Sequence, residues 1–557
     1  MKEYRIYGPP GTGKTRVLAR QHIPRAIEKY GPDKVMVTSF TRAAAKEIAG
    51  RDIQVDEKNV GTLHSICFHA FGQPDLAIKH LKKWNEEYPK WEMARGGKAI
   101  EDYDESFESQ MDGDKLMSDI QILKARLVPS KIWKMNLQSF KKAWDGFKKE
   151  LNVLDFDDLI ENALEEFPVA PNNPAVMFLD ESQDFTPIQF KLIRLWGMSM
   201  DWFVMAGDDD QTLYAWIGAD PEAMINPPVS KEFKTILNQS WRVPAKVLEI
   251  ANRVISKVSV REPKEYRPRM DDELESVPGE VIFHDDNYKS PDEVLEMALE
   301  YIKQPSTRPN RKNKDVMFLA SCSYMLEPLK KLLREKGIPF HNPYRRQRYD
   351  WNPFYRSKGV SSIELLSNFL SQSESDEDYW SVPQFLKWAQ FIKVGETGLI
   401  KKQGKEAMKV LNQAVEDCAM GIHTTREVLH DVLSPGAMNA ALNRDIGWLQ
   451  DNILKSRLNG LTYPLSVLKN QGSNALREEP NVVLGTVHSV KGGESDVVVL
   501  FPDLSKAAWS EMDIQENEDA IRRIFYVAMT RAYETLILCS PVPAPRGMPG
   551  MYFEWPK

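Results

Sequence analysis

Gly8-Pro9-Pro10-Gly11-Thr12-Gly13-Lys14-Thr15 is the stretch that decides the fold of this 557-residue chain. The apolar run at residues 4–7 before it is typical of a strand, and the run at residues 17–19 after it is typical of a helix. A glycine-rich turn in this position can curl its N–H groups around phosphate oxygens, at the positive end of the helix. The pattern is that of a Walker A loop, which predicts that Lys14 reaches the β- and γ-phosphates and that Thr15 holds Mg²⁺.

Length and composition bound the class of protein. A chain of 557 residues exceeds one ordinary core and predicts three or four domains. Hydrophobic residues make up 42% and charged residues 27%, as in soluble globular proteins. The sequence has no apolar run long enough to cross a bilayer and no signal-peptide core, so we expect a cytoplasmic or nucleoid-associated protein that does not act at a membrane.

Charge and cysteine content exclude two further classes. The net charge of −7 argues against a wholly basic nucleic-acid coat protein, although a local basic surface remains compatible with it. Residues 124–149 carry such a basic run, in which a solvated helix face is the usual explanation. Because Trp133 and Trp144 lie within the run, a strand-contacting surface is the alternative. The cysteines are too far apart for a Cys-x-x-Cys metal site and are expected to be buried thiols: Cys67, Cys322, Cys418 and Cys539.

The chain after the loop has the pattern of a wound α/β domain. An apolar strand at residues 34–41 breaks into polar residues, and a helical pattern follows at residues 42–48. Residues 60–65 repeat the strand with a polar end, here with His64, which alone would more often be a core histidine. From about residue 71 to residue 150 the sequence becomes helix-rich and predicts an insertion into the sheet domain.

A second strand end carries two carboxylates. Residues 176–179 form an apolar run typical of a covered central strand, and Asp180 and Glu181 follow it directly. Ligands of open α/β sheets lie at the carboxyl ends of the strands. Asp180 therefore suits a Walker B residue that holds Mg²⁺, and Glu181 suits the group that orients or deprotonates the attacking water. A plain helix N-cap is the alternative interpretation.

A third strand end is followed by acidic and aromatic residues. The run at residues 202–206 leads into Gly207 and three aspartates, and then into Gln211. A glutamine at this edge can sense whether the γ-phosphate is present. Tyr214 and Trp216 follow within a few residues, where they could stack on bases.

The ordered set of motifs resembles the superfamily 1 DNA helicases of the UvrD/Rep/PcrA type, over nearly the whole chain. The matching segments are residues 8–15 (motif I), 37–44 (motif Ia), 62–65, 180–184 (motif II), 207–216 (motif III), 237–242 (motif IV), 482–494 (motif V) and 522–532 (motif VI). The resemblance implies an α/β fold with two RecA-like P-loop domains in tandem, each with a mainly helical insertion. The implied domains are 1A (1–71 and 168–236), 1B (72–167), 2A (237–345 and 480–545), 2B (346–479) and a tail (546–557).

The resemblance also implies an activity and its partners. It implies an ATP- and Mg²⁺-dependent helicase or translocase that moves 3′→5′ on single-stranded DNA and separates duplex junctions. A loading, replication or repair protein is expected as a further partner, and the chain is expected to be a monomer in solution.

Several site residues follow from the resemblance. Arg242 and Arg531 would neutralise charge on the γ-phosphoryl group when the two α/β domains close on ATP. Arg16 and Trp241 would sandwich the adenine, and Glu494 would lie at the ribose or phosphate side. The implied strand-contacting residues are Phe40, His64, Tyr214, Trp216 and His488.

Two other functions remain open at this point. One is an ATP-gated protein that clamps or follows single strands without unwinding. The other is an RNA-directed motor or a small-molecule P-loop enzyme.

Overall fold

The computed structural model describes most of the chain, in two compact units. The described residues are 2–40, 54–94, 111–309, 311–346, 348–356, 359–371, 380–398, 409, 426–510, 514–544, 546 and 549–556. Unit 1 comprises residues 1–285, 320–324 and 500–557, and unit 2 comprises residues 286–319 and 325–499.

The first sheet lies in unit 1 and has six parallel strands. Its strands are β1 (Glu3–Tyr7), β2 (Val35–Ser39), β3 (Val60–Gly61), β4 (Val176–Asp180), β5 (Trp202–Gly207) and β6 (Lys234–Ile236), in the order β3-β2-β4-β5-β1-β6. Tyr7 pairs with Gly207, and Ser39 pairs with Asp180. The strands that carry the candidate motifs therefore end in register at one edge of the sheet.

Helices pack on this sheet because their apolar faces complete its core. Leu18 and Ile23 pack with Val37 and Phe178 of the strands in one buried cluster. Among its described residues, the α-helices of unit 1 are α1 (Lys14–Val17), α2 (Ile23–Tyr30), α3 (Leu63–Ala70), α4 (Leu81–Glu87), α5 (Asp112–Ala125), α6 (Met135–Leu151), α7 (Phe156–Glu166), α8 (Pro187–Gly197), α9 (Pro221–Ile225), α10 (Ala245–Ile255), and, after unit 2 in the sequence, the helices Lys506–Ser510 and Gln515–Met529. Residues 18–22, between α1 and α2, form one π-helical turn.

The helical insertion of unit 1 has its own aromatic core. Trp84, Phe140 and Trp144 pack together, with the rings of Trp84 and Trp144 4.9 Å apart in an edge-to-face contact. Trp133 is buried in the same cluster. The interpretation of Trp133 and Trp144 as a strand-contacting surface is therefore wrong, because both side chains fill the core. Lys148, on the same basic run, is also buried and pairs with Asp155 and Asp158.

The second sheet also has six strands. They are β7 (Glu280–His284), β8 (Val316–Ala320), β9 (Phe340–His341), β10 (Val482–Thr486), β11 (Ser495–Leu500) and β12 (Ala532–Cys539), in the order β7-β12-β11-β8-β10-β9. β7 is parallel to β12, and β9 is parallel to β10. Two such sheets confirm the predicted α/β class with tandem RecA-like domains.

Unit 2 contains eight α-helices within the part of the chain that the structure describes. They are α11 (Asp292–Ile302), α12 (Glu327–Glu335), α13 (Ser362–Phe369), α14 (Val382–Ala389), α15 (Arg426–Val432), α16 (Pro435–Leu442), α17 (Ile446–Asn452) and α18 (Lys455–Gln471). The two helices of unit 1 that follow in the sequence are α19 (Lys506–Ser510) and α20 (Gln515–Met529). Helices α13 to α18 share a core that includes Phe369, Trp380, Phe385 and Trp388.

The predicted division into domains 1A, 1B, 2A and 2B stays a prediction.

Cys67 and Cys539 are buried free thiols, as expected, and Cys322 is half-buried, whereas Cys418 lies outside the described residues. The part of motif Ia at residues 41–44 also lies outside them. Among the helices of the described ranges, none is both long and apolar enough to cross a membrane.

Candidate nucleotide site

The glycine-rich loop has the backbone geometry that phosphate binding needs. Gly11 and Gly13 have φ of +76° and +80°, a region that side chains disfavour. A Cβ at Gly11 would also lie 2.7 Å from Cβ of Arg242, so this glycine allows another segment to approach closely. The buried Lys14 Nζ donates to the Gly8 carbonyl at 2.5 Å. The ammonium group therefore lies inside the curl of the loop, where phosphates are expected.

Thr15 and Asp180 form a pair of oxygen ligands that fits Mg²⁺. Thr15 Oγ1 donates to Asp180 Oδ2 at 2.7 Å, and the other carboxylate oxygen, Asp180 Oδ1, is buried with no hydrogen-bond partner. Burial, together with the neighbouring charge of Glu181, raises the pKa of Asp180 to about 6. A hard divalent cation satisfies such a spare buried oxygen and stabilises the ionised carboxylate.

Glu181 has a strained backbone and a fixed side chain. Its φ is +52°, which is uncommon for a residue other than glycine and is often found at functional sites. Gln183 Nε2 donates to Glu181 Oε2 at 2.6 Å, and Gln183 Oε1 accepts from the backbone N–H of Asp208 at 2.9 Å. Gln183 thereby connects the end of β4 to the end of β5.

The three aspartates after β5 are buried in a cluster with basic side chains. Lys264 Nζ lies 2.9 Å from Asp208 and 3.1 Å from Asp210, and it also pairs with Asp209. Arg261 donates to both carboxylate oxygens of Asp210, at 2.9 and 2.6 Å. Burial raises the pKa of Asp209 to about 6, whereas Lys264 and Arg261 outweigh burial at Asp210 and hold its pKa below the usual value.

Sequence reasoning did not identify Lys264 or Arg261. The sequence does indicate that cations lie near residues 208–210, because three consecutive carboxylates at the end of a buried strand require them. Arg523 of α20 also joins this region, where its Nε donates to the backbone carbonyl of Asp209 at 3.1 Å.

Gln211 and Arg531 lie in direct contact. Gln211 Nε2 donates to Asp208 Oδ2 at 2.8 Å, and Arg531 Nη2 donates to Gln211 Oε1 at 3.2 Å. Arg531 is only 2% exposed, and its Nε donates to the Val527 carbonyl of α20. The guanidinium group predicted at the γ-phosphate is therefore beside the glutamine predicted to sense it.

Arg242 and Trp241 lie on the glycine-rich loop. The backbone N–H of Trp241 donates to the Gly11 carbonyl at 2.9 Å, and Tyr266 donates its hydroxyl to the carbonyl of Pro10. Trp241 is 66% exposed, and Arg16 is exposed on α1, directly after the loop. Both predicted adenine-contacting side chains thus adjoin the loop and are accessible.

The structure brings together three of the residues predicted to contact a strand. The rings of Phe40 and Tyr214 lie 5.0 Å apart, and those of Tyr214 and Trp216 lie 6.4 Å apart. Phe40 and Tyr214 are buried, and Trp216 is half-buried. His64, on α3, packs edge-on against Phe156, and burial lowers its pKa to about 4, so the ring is neutral at physiological pH.

The two remaining predicted site residues lie in unit 2. His488 is half-buried in a short 3₁₀ turn after β10. Glu494 precedes β11, where its carboxylate lies 3.9 Å from Arg308 and its backbone carbonyl accepts from the same guanidinium group. Their roles at the nucleotide and at a strand stay predictions.

Comparison with known proteins agrees with this arrangement. The model of the UvrD/REP helicase N-terminal domain matches residues 2–230, and that of the UvrD-like helicase C-terminal domain matches residues 450–541. The ATP-dependent DNA helicase PcrA of Staphylococcus aureus (strain Mu50 / ATCC 700699) is 26% identical, over 96% of this chain and 80% of the relative. PcrA of Staphylococcus epidermidis (strain ATCC 12228 / FDA PCI 1200) is 25% identical, over the same shares. Because the two family matches together span more than half of the chain and carry the motifs described above, the chain belongs to the UvrD/Rep-like family of superfamily 1 helicases, enzymes that couple ATP hydrolysis to strand separation.

Proposed function

We propose that this protein is an ATP- and Mg²⁺-dependent DNA helicase that moves 3′→5′ along a single strand and separates the duplex ahead of it. The observation that carries the proposal is a chain of hydrogen bonds from Glu181 through Gln183, Asp208 and Gln211 to Arg531. These bonds connect Glu181, the carboxylate suited to activate water, with Arg531, the arginine suited to neutralise charge on the transferred γ-phosphoryl group.

Each part of the site has a distinct task in hydrolysis. Lys14 binds the β- and γ-phosphates within the curl of the loop, and Glu181 orients the attacking water and accepts its proton. Arg242 and Arg531 neutralise the charge that develops on the γ-phosphoryl group, an effect typically worth about 10³ to 10⁵ in rate. When bound at Thr15 and Asp180, Mg²⁺ supplies further charge neutralisation at the phosphates.

The loop that follows β5 couples ATP hydrolysis to the contacts with a DNA strand. Gln211 contacts Arg531 and is three residues from Tyr214, whose ring packs against Phe40 and Trp216. Loss of the γ-phosphate changes the contacts of Gln211, and the change reaches the aromatic residues through a short segment. Stacking on a base is worth roughly 1–3 kcal/mol whatever the sequence, which suits a motor. Opening a base-pair step costs on the order of 1.4 kcal/mol in stacking, a cost that coupled hydrolysis can meet.

The experiment compares ATP hydrolysis and strand displacement in the full chain. We expect single-stranded DNA to stimulate hydrolysis more than RNA does, and a 3′-tailed duplex to be unwound in preference to a 5′-tailed one. Lys14→Ala should abolish both activities. Stimulation of hydrolysis by DNA without strand displacement would instead indicate a translocase that does not unwind. Stronger stimulation by RNA would indicate an RNA-directed motor. If neither nucleic acid stimulated hydrolysis, the protein would be a small-molecule enzyme.

Action in the cytoplasm or on the nucleoid, a monomeric state and a replication or repair partner stay predictions. They fit a DNA helicase, and the activity assays above do not depend on them.

A further inference from the structure

The C-terminal tail has no role in the functions described above, but part of it packs on unit 1, to which it belongs. The backbone N–H of Leu504 donates to the carbonyl of Met551, and the backbone N–H of Phe553 donates to the carbonyl of Pro502, both at 2.9 Å. These bonds form a short antiparallel pairing between the tail and the segment that follows β11. The backbone of the tail is therefore fixed where it passes helix α20.

Two aromatic side chains of the tail pack on Phe525, a fully buried residue of α20. The rings of Phe553 and Phe525 are stacked, with planes 19° apart and centroids 4.4 Å apart. Trp555 meets Phe525 edge-on, with centroids 5.4 Å apart, and its indole N–H donates to the carbonyl of Cys539 at 2.7 Å. We call Phe553 and Trp555 the aromatic clamp. Both geometries are favoured for aromatic pairs, so the clamp stabilises one position of the helix.

The opposite face of α20 contacts the loop after β5. Arg523 and Phe525 are two positions apart, or about 200° around a helix, so their side chains project from nearly opposite faces. The Nε of Arg523 donates to the carbonyl of Asp209 at 3.1 Å. Just beyond the helix, Arg531 donates to Gln211 at 3.2 Å. Helix α20 therefore lies between the aromatic clamp and the nucleotide site.

The position of Arg531 depends on α20. Its Nε donates to the carbonyl of Val527 at 3.0 Å, and its backbone N–H donates to the carbonyl of Ala528 at 3.2 Å. Both acceptors follow Phe525 within one turn, so a shift of the helix at Phe525 moves the guanidinium group with it. The bond to Gln211 is already at the long end of the usual range. A misplacement of about 1 Å can cost on the order of 10²-fold in rate, even when its origin is far from the reacting atoms.

A cavity beside the clamp concentrates the contact between the tail and the helix at Phe525. Its volume is about 390 Å³, and it lies between the tail, the end of α10 and the first turns of α20. Its lining includes Lys257, Arg522 and Tyr552. The first turns of α20 therefore border open space, and the packing of the tail on α20 is provided by the rings one turn further along.

We propose that Phe553 and Trp555 are positioning residues for ATP hydrolysis, which act through α20 to keep Arg531 at the site of γ-phosphoryl transfer. This inference rests on the proposed function, because that function assigns the γ-phosphoryl contact to Arg531. The clamp packs on the face of α20 that is turned away from the loop after β5, so it acts on the reaction only through the helix.

Kinetics of Phe553→Ala in the full chain test the clamp. The value of kcat for DNA-stimulated hydrolysis should fall about 10- to 100-fold, because Arg531 is displaced, whereas KM for ATP should stay within about 2-fold. A fluorescent ADP analogue lacks the γ-phosphate, so its affinity and its binding stoichiometry should equal those of the wild type. Phe553→Leu refills most of the lost volume against Phe525 and should restore kcat to within about 3-fold of the wild type.

The same change in an Arg531→Ala background separates positioning from a general loss of stability. If the clamp acts through Arg531, Phe553→Ala should lower the residual single-turnover rate by less than about 2-fold once Arg531 is absent. A variant that is merely destabilised would lose rate by the same factor in both backgrounds and would bind ADP at reduced stoichiometry. Either of these results would overturn the proposal.

Two further variants complete the test. Glu554→Ala alters the exposed residue between the two clamp rings and should leave kcat unchanged. Trp555→Phe removes the N–H that bonds to Cys539 but keeps a ring, so kcat should fall about 2- to 5-fold, a result that decides the question even if Phe553→Ala does not fold. Wild-type kcat in Trp555→Phe and in any folded Phe553→Ala would overturn the clamp alone. Normal hydrolysis in Arg531→Ala would instead overturn the proposed role of Arg531, and the clamp with it.

Discussion

Replacement of Lys264 by methionine tests the charge balance that holds the loop after β5. The side chain of Lys264 is 1% exposed and contacts the three buried aspartates at residues 208–210. Arg261 and Arg523 are the other cations of this cluster, so three carboxylates face three positive charges. Methionine keeps the length and apolar stem of the lysine but removes its charge. One net negative charge is then left buried without a partner.

The size of the effect follows from the burial of the whole cluster. Removal of one partner from a buried ion pair typically costs about 3–5 kcal/mol, because the remaining charge is not solvated. At about 2 °C per kcal/mol, the value for larger domains, the melting temperature of unit 1 should fall by about 6–10 °C. Differential scanning calorimetry of the full chain at neutral pH measures this change as a shift of the transition in which unit 1 unfolds.

The pH dependence of the stability lost in Lys264→Met is a second test of this charge balance. Burial raises the pKa of Asp209 to about 6, above its ordinary value of 3.8. Protonated Asp209 therefore favours the folded state, and its contribution is complete below pH about 4 and lost as the pH rises through about 6. Without Lys264 the pKa of Asp209 rises further, because the positive charge that opposes the effect of burial is lost. The stability gap between variant and wild type should thus narrow as the pH falls from about 8 to about 6.

A matched control separates this mechanism from a general loss of charge. Lys58 pairs with Asp56 at 2.9 Å, but it is 55% exposed. Lys58→Met should change stability by less than about 1 kcal/mol, since exposed ion pairs contribute little. The double variant Lys264→Met with Asp209→Asn should regain part of the loss. A melting temperature of Lys264→Met within about 1 °C of wild type, or a gap that widens in acid, would refute the charge balance.

Three further variants test the nucleotide and strand contacts. Arg531→Ala should lower DNA-stimulated hydrolysis by about 10³ or more while a fluorescent ATP analogue still binds; stimulated hydrolysis at the normal rate would contradict the contact with the γ-phosphoryl group. Trp241→Ala should raise KM for ATP by about 2- to 30-fold, and Trp241→Phe should restore most of it, because the exposed ring is expected to stack on adenine; an unchanged KM in a steady-state assay would exclude stacking. Trp216→Ala should weaken stimulation by single-stranded DNA at unchanged nucleotide affinity, and full stimulation in a titration with oligonucleotide would remove Trp216 from the strand contacts.

The nucleotide loop and the acidic strand ends could be predicted from the sequence because their geometry is local. A glycine-rich turn between a strand and a helix fixes where Lys14 and Thr15 lie. Parallel strands place their carboxyl ends at one edge, so Asp180 and Gln211 had to meet there. The contact between Arg531 and Gln211 spans 320 positions of the chain, and only the resemblance to helicases placed Arg531 near the γ-phosphate that Gln211 was expected to sense.

The partners of the aspartate cluster could not be predicted in the same way. Lys264 and Arg261 lie in an irregular segment between α10 and β7, where no periodicity or motif marks a lysine as buried. Gln183 lies within motif II at residues 180–184, but its bonds to Glu181 and Asp208 depend on the fold around it. Composition also misled at Trp133, because a tryptophan in a basic run can belong equally to a core or to a surface.

Burial of the aromatic cluster constrains how hydrolysis can act on a strand. Tyr214 is 6% exposed and packs on Phe40, which is itself only 8% exposed, so neither ring offers a face to a base in this conformation. The loop immediately before Tyr214 is fixed, since Lys264 binds its aspartates and Arg531 binds Gln211. A strand can therefore gain Tyr214 only when the contacts of Gln211 change, and those are the contacts that the γ-phosphate would alter. Under the proposed function, the nucleotide therefore controls whether the aromatic face is accessible to a strand.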